Sequence, residues 1–210
     1  MVQWAQRFWW MRRWLDHWRQ RDSEYAGLFQ RAQDDSCVAI DCETTGLDPA
    51  TAELVSIAAV EIDGNRVLRS GALHIRLLAP ESLSAESIRI HRMRPVDLSG
   101  GDEVHEALRQ LLAFVGNRPL VGWCLAFDIA MINRYLVPQF GFALPNRRIE
   151  LTQLYQRHLR RTKPDLAPDM RFEAMADALQ VPVAERHSAL GDAVMSALMY
   201  VRLQRQIQGE

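Results

Sequence analysis

The chain has 210 residues, 48% of them hydrophobic and 24% charged, which is enough for one well-buried domain and a short appendage. The formal net charge of −1 excludes a protein that coats long stretches of duplex nucleic acid, because such proteins carry a marked basic excess. Three cysteines, Cys37, Cys42 and Cys124, are too few for a disulfide framework and lack the paired spacing of a zinc site. A reducing cytoplasm therefore fits the composition best.

Residues 1–33 have a composition of their own, since five of the six tryptophans of the chain lie here and residues 1–21 hold five arginines. Apolar residues recur in this segment at steps of three or four, at Trp4, Phe8, Met11, Leu15 and Trp18. This spacing predicts one face of an amphipathic helix. We expect a helical extension over 1–33 and one main domain over 34–210. Arginines interrupt every apolar stretch, so no segment reaches the ~20 residues of a membrane span.

Four roles fit this extension: packing against its own domain, docking to a protein partner or to a second copy of the chain, peripheral contact with a membrane, and contact with nucleic acid. The excess of arginine suits an anionic surface. The tryptophans suit burial in an interface. We favour self-packing or docking to a protein over membrane contact.

The first half of the main domain is typical of an antiparallel meander. A strand at 37–40 leads into Asp41 and then into a turn-prone segment at 44–49. Strands at about 54–62 and 66–77 are joined by Asp63-Gly64-Asn65, a hairpin signal because glycine tolerates positive φ.

The second half alternates helices with short strands. Its elements are predicted in this order: a helix at 104–115, a buried strand at 119–123, a helix at 127–136 that stops before Pro138, a loop at 160–170, and helices at 171–179 and 186–205. Strands that alternate with helices suggest parallel pairing. The sequence therefore predicts an α/β protein with a mixed sheet flanked by helices.

Asp41 and Glu43 are the first candidate site residues. Side chains alternate along a strand, so both carboxylates point to one face at the end of an apolar strand, while Cys42 points to the other face. Two converging carboxylates repel each other unless a cation lies between them. Oxygen ligands of this kind favour Mg²⁺ or Mn²⁺.

Asp128, His187 and Asp192 each have a plainer interpretation when taken singly. Asp128 opens a helix, where an acid complements the helix dipole. His187 alone fits a surface or capping residue. His187 and Asp192 are five residues apart, so the histidine reaches the acid only from its flank, if the helix begins near Ser188.

Taken together, these residues lie in three ordered motifs that resemble the DEDDh exonucleases, the family of the proofreading subunit of bacterial DNA polymerase III, RNase T and oligoribonuclease. The motifs are AIDCETTGL at 39–47, LVG and AFD within 120–128, and HSALGDA at 187–193. The histidine five places before the last acid resembles the histidine class of the family. The sister class would have tyrosine where Ser188 stands.

The resemblance implies an RNase H-like fold with a mixed five-stranded sheet and a metal-dependent 3′-to-5′ exonuclease. Asp41, Glu43, Asp128 and Asp192 would hold two divalent ions, Mg²⁺ or Mn²⁺, and His187 would take a proton from the attacking water. The substrates would be 3′ ends of single-stranded nucleic acid, with DNA favoured over RNA, and the products nucleoside 5′-monophosphates.

Three more residues resemble family positions near the terminal nucleotide: Thr44, Leu47 and His91. Turn packing is an equal alternative for Leu47 and His91. The second motif departs from the family, because Trp123-Cys124 stands where His-Asn is usual. This departure bears on substrate preference more than on catalysis. Trp123 ends a buried strand and fits core packing better than stacking on a base.

The alternative function is a non-catalytic binding or adaptor module on the same fold. Retention of all five polar residues speaks against it, because a degenerate site has no physical reason to keep carboxylates that repel each other. These residues do not separate DNA from RNA as the substrate, since contacts to the 2′-hydroxyl depend on the shape of the pocket.

Overall fold

The computed structural model describes residues 9–32 and 35–209. Two of the predicted apolar positions of the extension, Trp4 and Phe8, lie outside the described residues. The described chain contains six strands, which are β1 (Cys37–Thr44), β2 (Leu54–Asp63), β3 (Arg66–Val67), β4 (Leu73–Arg76), β5 (Leu120–Gly122) and β6 (Arg148–Glu150).

The strands form one mixed sheet in the order β3-β2-β1-β5-β6. β1 is antiparallel to β2 and parallel to β5, which is parallel to β6. Both β3 and β4 pair with β2, so they share its outer edge and the sheet has five positions. The strand predicted at 66–77 is therefore broken in two, by a 3-10 turn at Arg69–Gly71 that ends in glycine, a poor strand residue. The predicted mixed five-stranded sheet is confirmed.

Seven α-helices occur in the described residues: α1 (Trp9–Gln20), α2 (Ala85–His91), α3 (Val104–Val115), α4 (Leu125–Phe140), α5 (Leu151–Thr162), α6 (Phe172–Ala178) and α7 (Ala189–Gln208). They cover both faces of the sheet. Val38 and Ile40 of β1 pack into a core with α3 and α4, whereas Cys37 and Ala39 pack into a second core with α5, α6 and α7. The alternation of side chains along β1 thus decides which helices each of its residues meets.

Two helix boundaries differ from the prediction. α4 does not stop before Pro138 but ends at Phe140. Pro138 removes one hydrogen-bond donor and crowds the carbonyl four residues earlier, and the helix continues for only two residues beyond it. Gly141 then closes the helix with φ 78° and donates its N–H to the Val137 carbonyl at 3.0 Å. α5 runs through Arg160 and Arg161, where a loop was predicted, because basic side chains stabilise a helix C-terminus.

The third difference concerns the last helix, which begins at Ala189 rather than at residue 186. Ser188 is its N-cap, and the Ser188 side chain accepts a hydrogen bond from the Gly191 N–H at 3.5 Å. Residues before it, including His187, are therefore in a loop.

The N-terminal extension packs against the end of α4 through polar groups of α1. The buried Asp16 carboxylate accepts the Ala143 N–H at 3.2 Å, and the Gln20 amide donates to the Phe140 carbonyl at 3.2 Å. After α1, Leu28 and Phe29 enter the core beside Phe142.

The apolar face of α1 points away from the domain. Trp14 is 65% exposed and Trp18 is 59% exposed, and Met11 and Leu15 of the same face are exposed as well. The predicted amphipathic helix is present over Trp9–Gln20, but its apolar side is not the side that packs. Among the described residues, no helix combines the length and the apolar character needed to cross a membrane.

Candidate active site

The first two acids lie at the C-terminal end of β1. Asp41 and Glu43 continue the alternation of Cys37 and Ala39, so their side chains leave β1 on the face that α7 covers. β1 pairs with β5 at Val38 and Ala39, which leaves its last residues extending beyond β5. Both carboxylates therefore lie where the sheet is open on one side.

Asp128 and Asp192 come to the same place from two helices. Asp128 lies in the first turn of α4, which follows β5, and its Oδ1 accepts the Cys42 N–H at 3.0 Å. Asp192 lies in the first turn of α7. Small residues of α7, Ala189 and Ala193, pack directly on β2, which lets this turn approach the sheet closely.

The four acids are close together. One carboxylate oxygen from each of Asp41, Glu43 and Asp192 lies within 4.8 Å of the other two. Asp128 lies next to Asp41, near enough for its charge to raise the Asp41 pKa. The structure thus brings together the four predicted carboxylates, three of them in one compact group.

Burial raises the pKa of each acid. It raises the pKa of Asp128 to about 8 and, with the nearby Asp192 charge, that of Glu43 to about 7. The pKa of Asp41 lies well above its usual value because of burial and the charges of Asp128, Asp192 and Glu43. Burial likewise raises the pKa of Asp192, while the Arg186 guanidinium opposes the rise.

The donor set fits a hard divalent cation. The group offers carboxylate oxygens, which Mg²⁺ and Mn²⁺ prefer. The Asp192 Oδ1 is buried and has no hydrogen-bond partner among the described residues. A buried carboxylate oxygen without a partner is costly, and a cation would satisfy it.

His187 lies in the loop before α7. Its backbone has φ 62°, its side chain is exposed, and its N–H donates to the Asp192 Oδ2 at 3.3 Å. The histidine therefore flanks Asp192, as expected for a helix that begins near Ser188.

The three predicted substrate residues have different surroundings. The Thr44 hydroxyl donates to the Gly46 carbonyl at 2.7 Å, and Leu47 in the following loop is 91% exposed. His91 is buried at the end of α2, where its Nδ1 accepts the Met93 N–H at 3.1 Å. Leu47 is thus open to a ligand, whereas His91 is enclosed.

Trp123 and Cys124 belong to the framework beside Asp128. The Trp123 indole donates to the Met170 carbonyl at 3.1 Å and packs edge-on against Phe172. Cys124 has φ 57° and donates its N–H to the Glu150 carboxylate at 3.0 Å. Core packing is therefore the role of Trp123 in this structure.

Arg186 is a site residue that the sequence did not predict. Its guanidinium forms an ion pair with the Asp192 carboxylate, and its charge opposes the rise in the pKa of Asp41 and Glu43. The signal in the sequence was the position of Arg186 beside His187. Residue 186 was predicted to lie in the helix, whereas it lies in the loop, from which its side chain reaches back to Asp192.

The fold of the chain is similar to that of a solved exonuclease. The structure of E. coli exonuclease I in a zinc-bound complex with single-stranded DNA superimposes with a TM-score of 0.69 at 17% identity, over 85% of this chain and 42% of that one. A family model described as exonuclease, RNase T, matches residues 38–200. The chain belongs to this exonuclease family, which confirms the resemblance, and its fold is RNase H-like.

Two curated relatives have similar sequences. DNA polymerase III subunit epsilon of Aquifex aeolicus is 26% identical over 83% of this chain and 83% of its own length. The PolC-type DNA polymerase III of Thermotoga petrophila is 24% identical over 87% of this chain, which spans only 12% of that protein.

Proposed function

We propose that this protein is a 3′-to-5′ exonuclease that depends on two divalent ions, Mg²⁺ or Mn²⁺, and releases nucleoside 5′-monophosphates from single-stranded ends, DNA rather than RNA. The observation that carries the proposal is the convergence of the buried acids, with the Asp192 Oδ1 left unpaired among the described residues. The similarity to DNA polymerase III subunit epsilon and the similarity to exonuclease I support the same class of reaction.

Asp41, Glu43, Asp128 and Asp192 are the proposed metal ligands. Bound ions would neutralise the phosphate and stabilise the attacking and leaving oxygens. Asp128 keeps one oxygen on the Cys42 N–H, which leaves its other oxygen as the proposed ligand. β1 and the first turns of two helices fix the four carboxylates before any substrate arrives.

His187 is the proposed general base. Histidine is the side chain that most often acts as a general base, and the exposed side chain of His187 can reach a water beside Asp192. The hydrogen bond from the His187 backbone N–H to the Asp192 carboxylate holds this loop against a proposed metal ligand.

The exposed Leu47 is proposed to pack on the terminal base, and Thr44 to contact the terminal nucleotide from the start of the same loop. His91 remains a proposed substrate residue. Its contact with a nucleotide requires the end of α2 to open, because the ring is buried.

The test is hydrolysis of a 3′-labelled oligonucleotide with Mg²⁺ or Mn²⁺ by the intact protein, Asp41→Asn and His187→Ala. We expect a loss of at least ~100-fold in each variant, since a general base alone contributes about 10²- to 10⁴-fold. Asp63→Asn, which changes an exposed acid of β2, is the matched control and should retain activity. Equal activity in all four proteins would contradict the mechanism.

Matched DNA and RNA oligonucleotides, including very short ones, test the substrate class in the same assay. Calorimetric titration with Mn²⁺ separates the enzyme from an adaptor module. An enzyme of the proposed kind binds the ion in a manner that Asp192→Asn weakens, whereas an adaptor shows no binding that depends on Asp192.

We also propose the division into an extension at 1–33 and an exonuclease domain at 34–210, because the family match begins at residue 38. The outward apolar face of α1 supports docking of the extension to another protein, either a partner or a second copy of this chain. Contact with a membrane is the less favoured role. Free cysteines at 37, 42 and 124 support a reducing compartment such as the cytoplasm.

A further inference from the structure

The two oxygens of Asp192 have unequal surroundings. Oδ2 accepts the Arg186 guanidinium and the His187 N–H, whereas Oδ1 is buried with no partner in the described part of the chain. A carboxylate held by one oxygen cannot rotate freely, so the other oxygen keeps a fixed direction. A metal ion requires a ligand oxygen that points toward it in a fixed direction.

Arg186 is itself held from two sides. Its Nε donates to the Glu173 carboxylate at 2.8 Å, and its guanidinium carbon lies 4.1 Å from the centre of the buried Phe172 ring. Phe172 and Glu173 are the first two residues of α6. The arginine thus connects the start of α6 to the first turn of α7.

The loop that carries Arg186 is also constrained. Glu185 and His187 both have positive φ, at 54° and 62°. The Glu185 carboxylate pairs at 2.9 Å with Arg69, which lies in the 3-10 turn between β3 and β4. A Cβ atom added at Gly191 would lie 2.2 Å from the Glu185 carbonyl oxygen. The loop therefore packs against the first turn of α7 too closely to admit any side chain at this position.

We propose that Arg186 is a positioning residue, which holds the Asp192 Oδ2 so that Oδ1 is presented to the divalent ion. The proposal rests on the proposed function, because it assigns the ion to this cluster. The charge of Arg186 is balanced by Glu173, so the pair as a whole adds no net charge that would repel a cation. What the pair contributes is the orientation of Asp192.

The experiment removes the pair without changing net charge. The double variant Arg186→Gln/Glu173→Gln is titrated with Mn²⁺ by calorimetry at pH 8 beside the intact protein. We expect the dissociation constant to rise 10- to 100-fold, the usual effect of removing a group that orients a ligand. Arg186→Lys keeps the charge but not the planar guanidinium. Its affinity for Mn²⁺ should lie between that of the intact protein and that of the double variant.

The matched control is Arg171→Gln/Asp169→Asn, which removes an exposed ion pair just before α6 and should leave Mn²⁺ affinity unchanged. Thermal melting with EDTA verifies that each variant is folded. Unchanged or tighter binding of Mn²⁺ by the double variant would overturn the positioning role, and so would intact-protein affinity in Arg186→Lys.

Failure of the proposed function gives a different result. In that case the intact protein binds no Mn²⁺, or Asp192→Asn binds it as tightly as the intact protein does. The outcomes for Arg186 therefore separate a wrong role for this arginine from a wrong assignment of the site.

Discussion

At the scale of single residues, the acid cluster makes the stability of the metal-free protein depend on pH. Burial raises the pKa of Asp128 to about 8 and, with the Asp192 charge, that of Glu43 to about 7. The folded state therefore binds protons more tightly than the unfolded state. The stability gained from these protons is complete below pH ~4 and is lost as the pH rises through 7 to 8.

We predict that Asp128→Asn stabilises the metal-free protein at pH 8. Asparagine still accepts the Cys42 N–H through its carbonyl oxygen but never ionises, so it avoids the cost of a buried charge. The free energy of unfolding in urea with EDTA should rise by about 1 to 3 kcal/mol at pH 8. At pH 4.5 the variant and the intact protein should be alike.

Asp63→Asn is the control for this comparison. Because the Asp63 carboxylate is largely exposed, this substitution should change the free energy of unfolding little at either pH. A gain of the same size at pH 4.5 and pH 8 would contradict the pH argument. Nuclease activity of Asp128→Asn should be lost, because a proposed metal ligand is removed.

Residue alternation made part of the site predictable. Asp41 and Glu43 follow from the period of a strand, and the spacing of the third motif leads to His187 and Asp192. Arg186 was not predictable in this way. Its role depends on three groups that meet only in the folded chain, Asp192, Glu173 and the Phe172 ring.

At the scale of elements, the contact between the His187 loop and α7 depends on Gly191. Alanine is favoured over glycine inside a helix by about 1 kcal/mol, so an open position would gain stability from the change. Here the added carbon would lie 2.2 Å from the Glu185 carbonyl oxygen and 2.9 Å from its carbonyl carbon. Both are backbone atoms, and the loop must move to admit it.

We predict that Gly191→Ala destabilises the protein by about 1 to 3 kcal/mol, as overpacking usually does. It should also reduce nuclease activity at least ~10-fold, because the displaced loop carries Arg186 and His187. Urea unfolding and the labelled-oligonucleotide assay measure the two effects. Gly27→Ala, at a position with open space around it, should change stability by less than about 0.5 kcal/mol. A stabilised Gly191→Ala would mean that the loop moves at no cost.

Element boundaries were predicted least well where a local signal competes with packing. Pro138 indicates a helix end, yet the buried Leu136 and Phe142 on either side keep the last turn of α4 in place. The helix at 104–115 was predicted without error, because its apolar residues repeat regularly and the buried ones follow helical spacing: Ala107, Leu108, Leu111, Leu112 and Val115.

At the scale of the whole molecule, α1 lies far from the acids. α4 carries Asp128 in its first turn and meets α1 at its last residue, Phe140. Asp128 and Phe140 are twelve residues apart along this helix, which at about 1.5 Å per residue separates them by roughly 18 Å. A partner on the outward face of α1 would therefore leave the acid cluster open. The sequence predicted the amphipathic helix but not which face packs, because that depends on Asp16 and Gln20 finding partners beside α4.

We predict that the two faces of α1 respond differently to mutation. Trp14→Gln/Trp18→Gln changes side chains that are mostly exposed, so the melting temperature should stay within about 2 °C while any self-association or partner binding is lost. Asp16→Ala removes a buried acceptor of the Ala143 N–H and should cost about 1 to 3 kcal/mol. Thermal melting and analytical ultracentrifugation of the full chain measure both effects. Strong destabilisation by the tryptophan substitutions would mean that this face is covered within the chain itself, and the docking proposal would then fail.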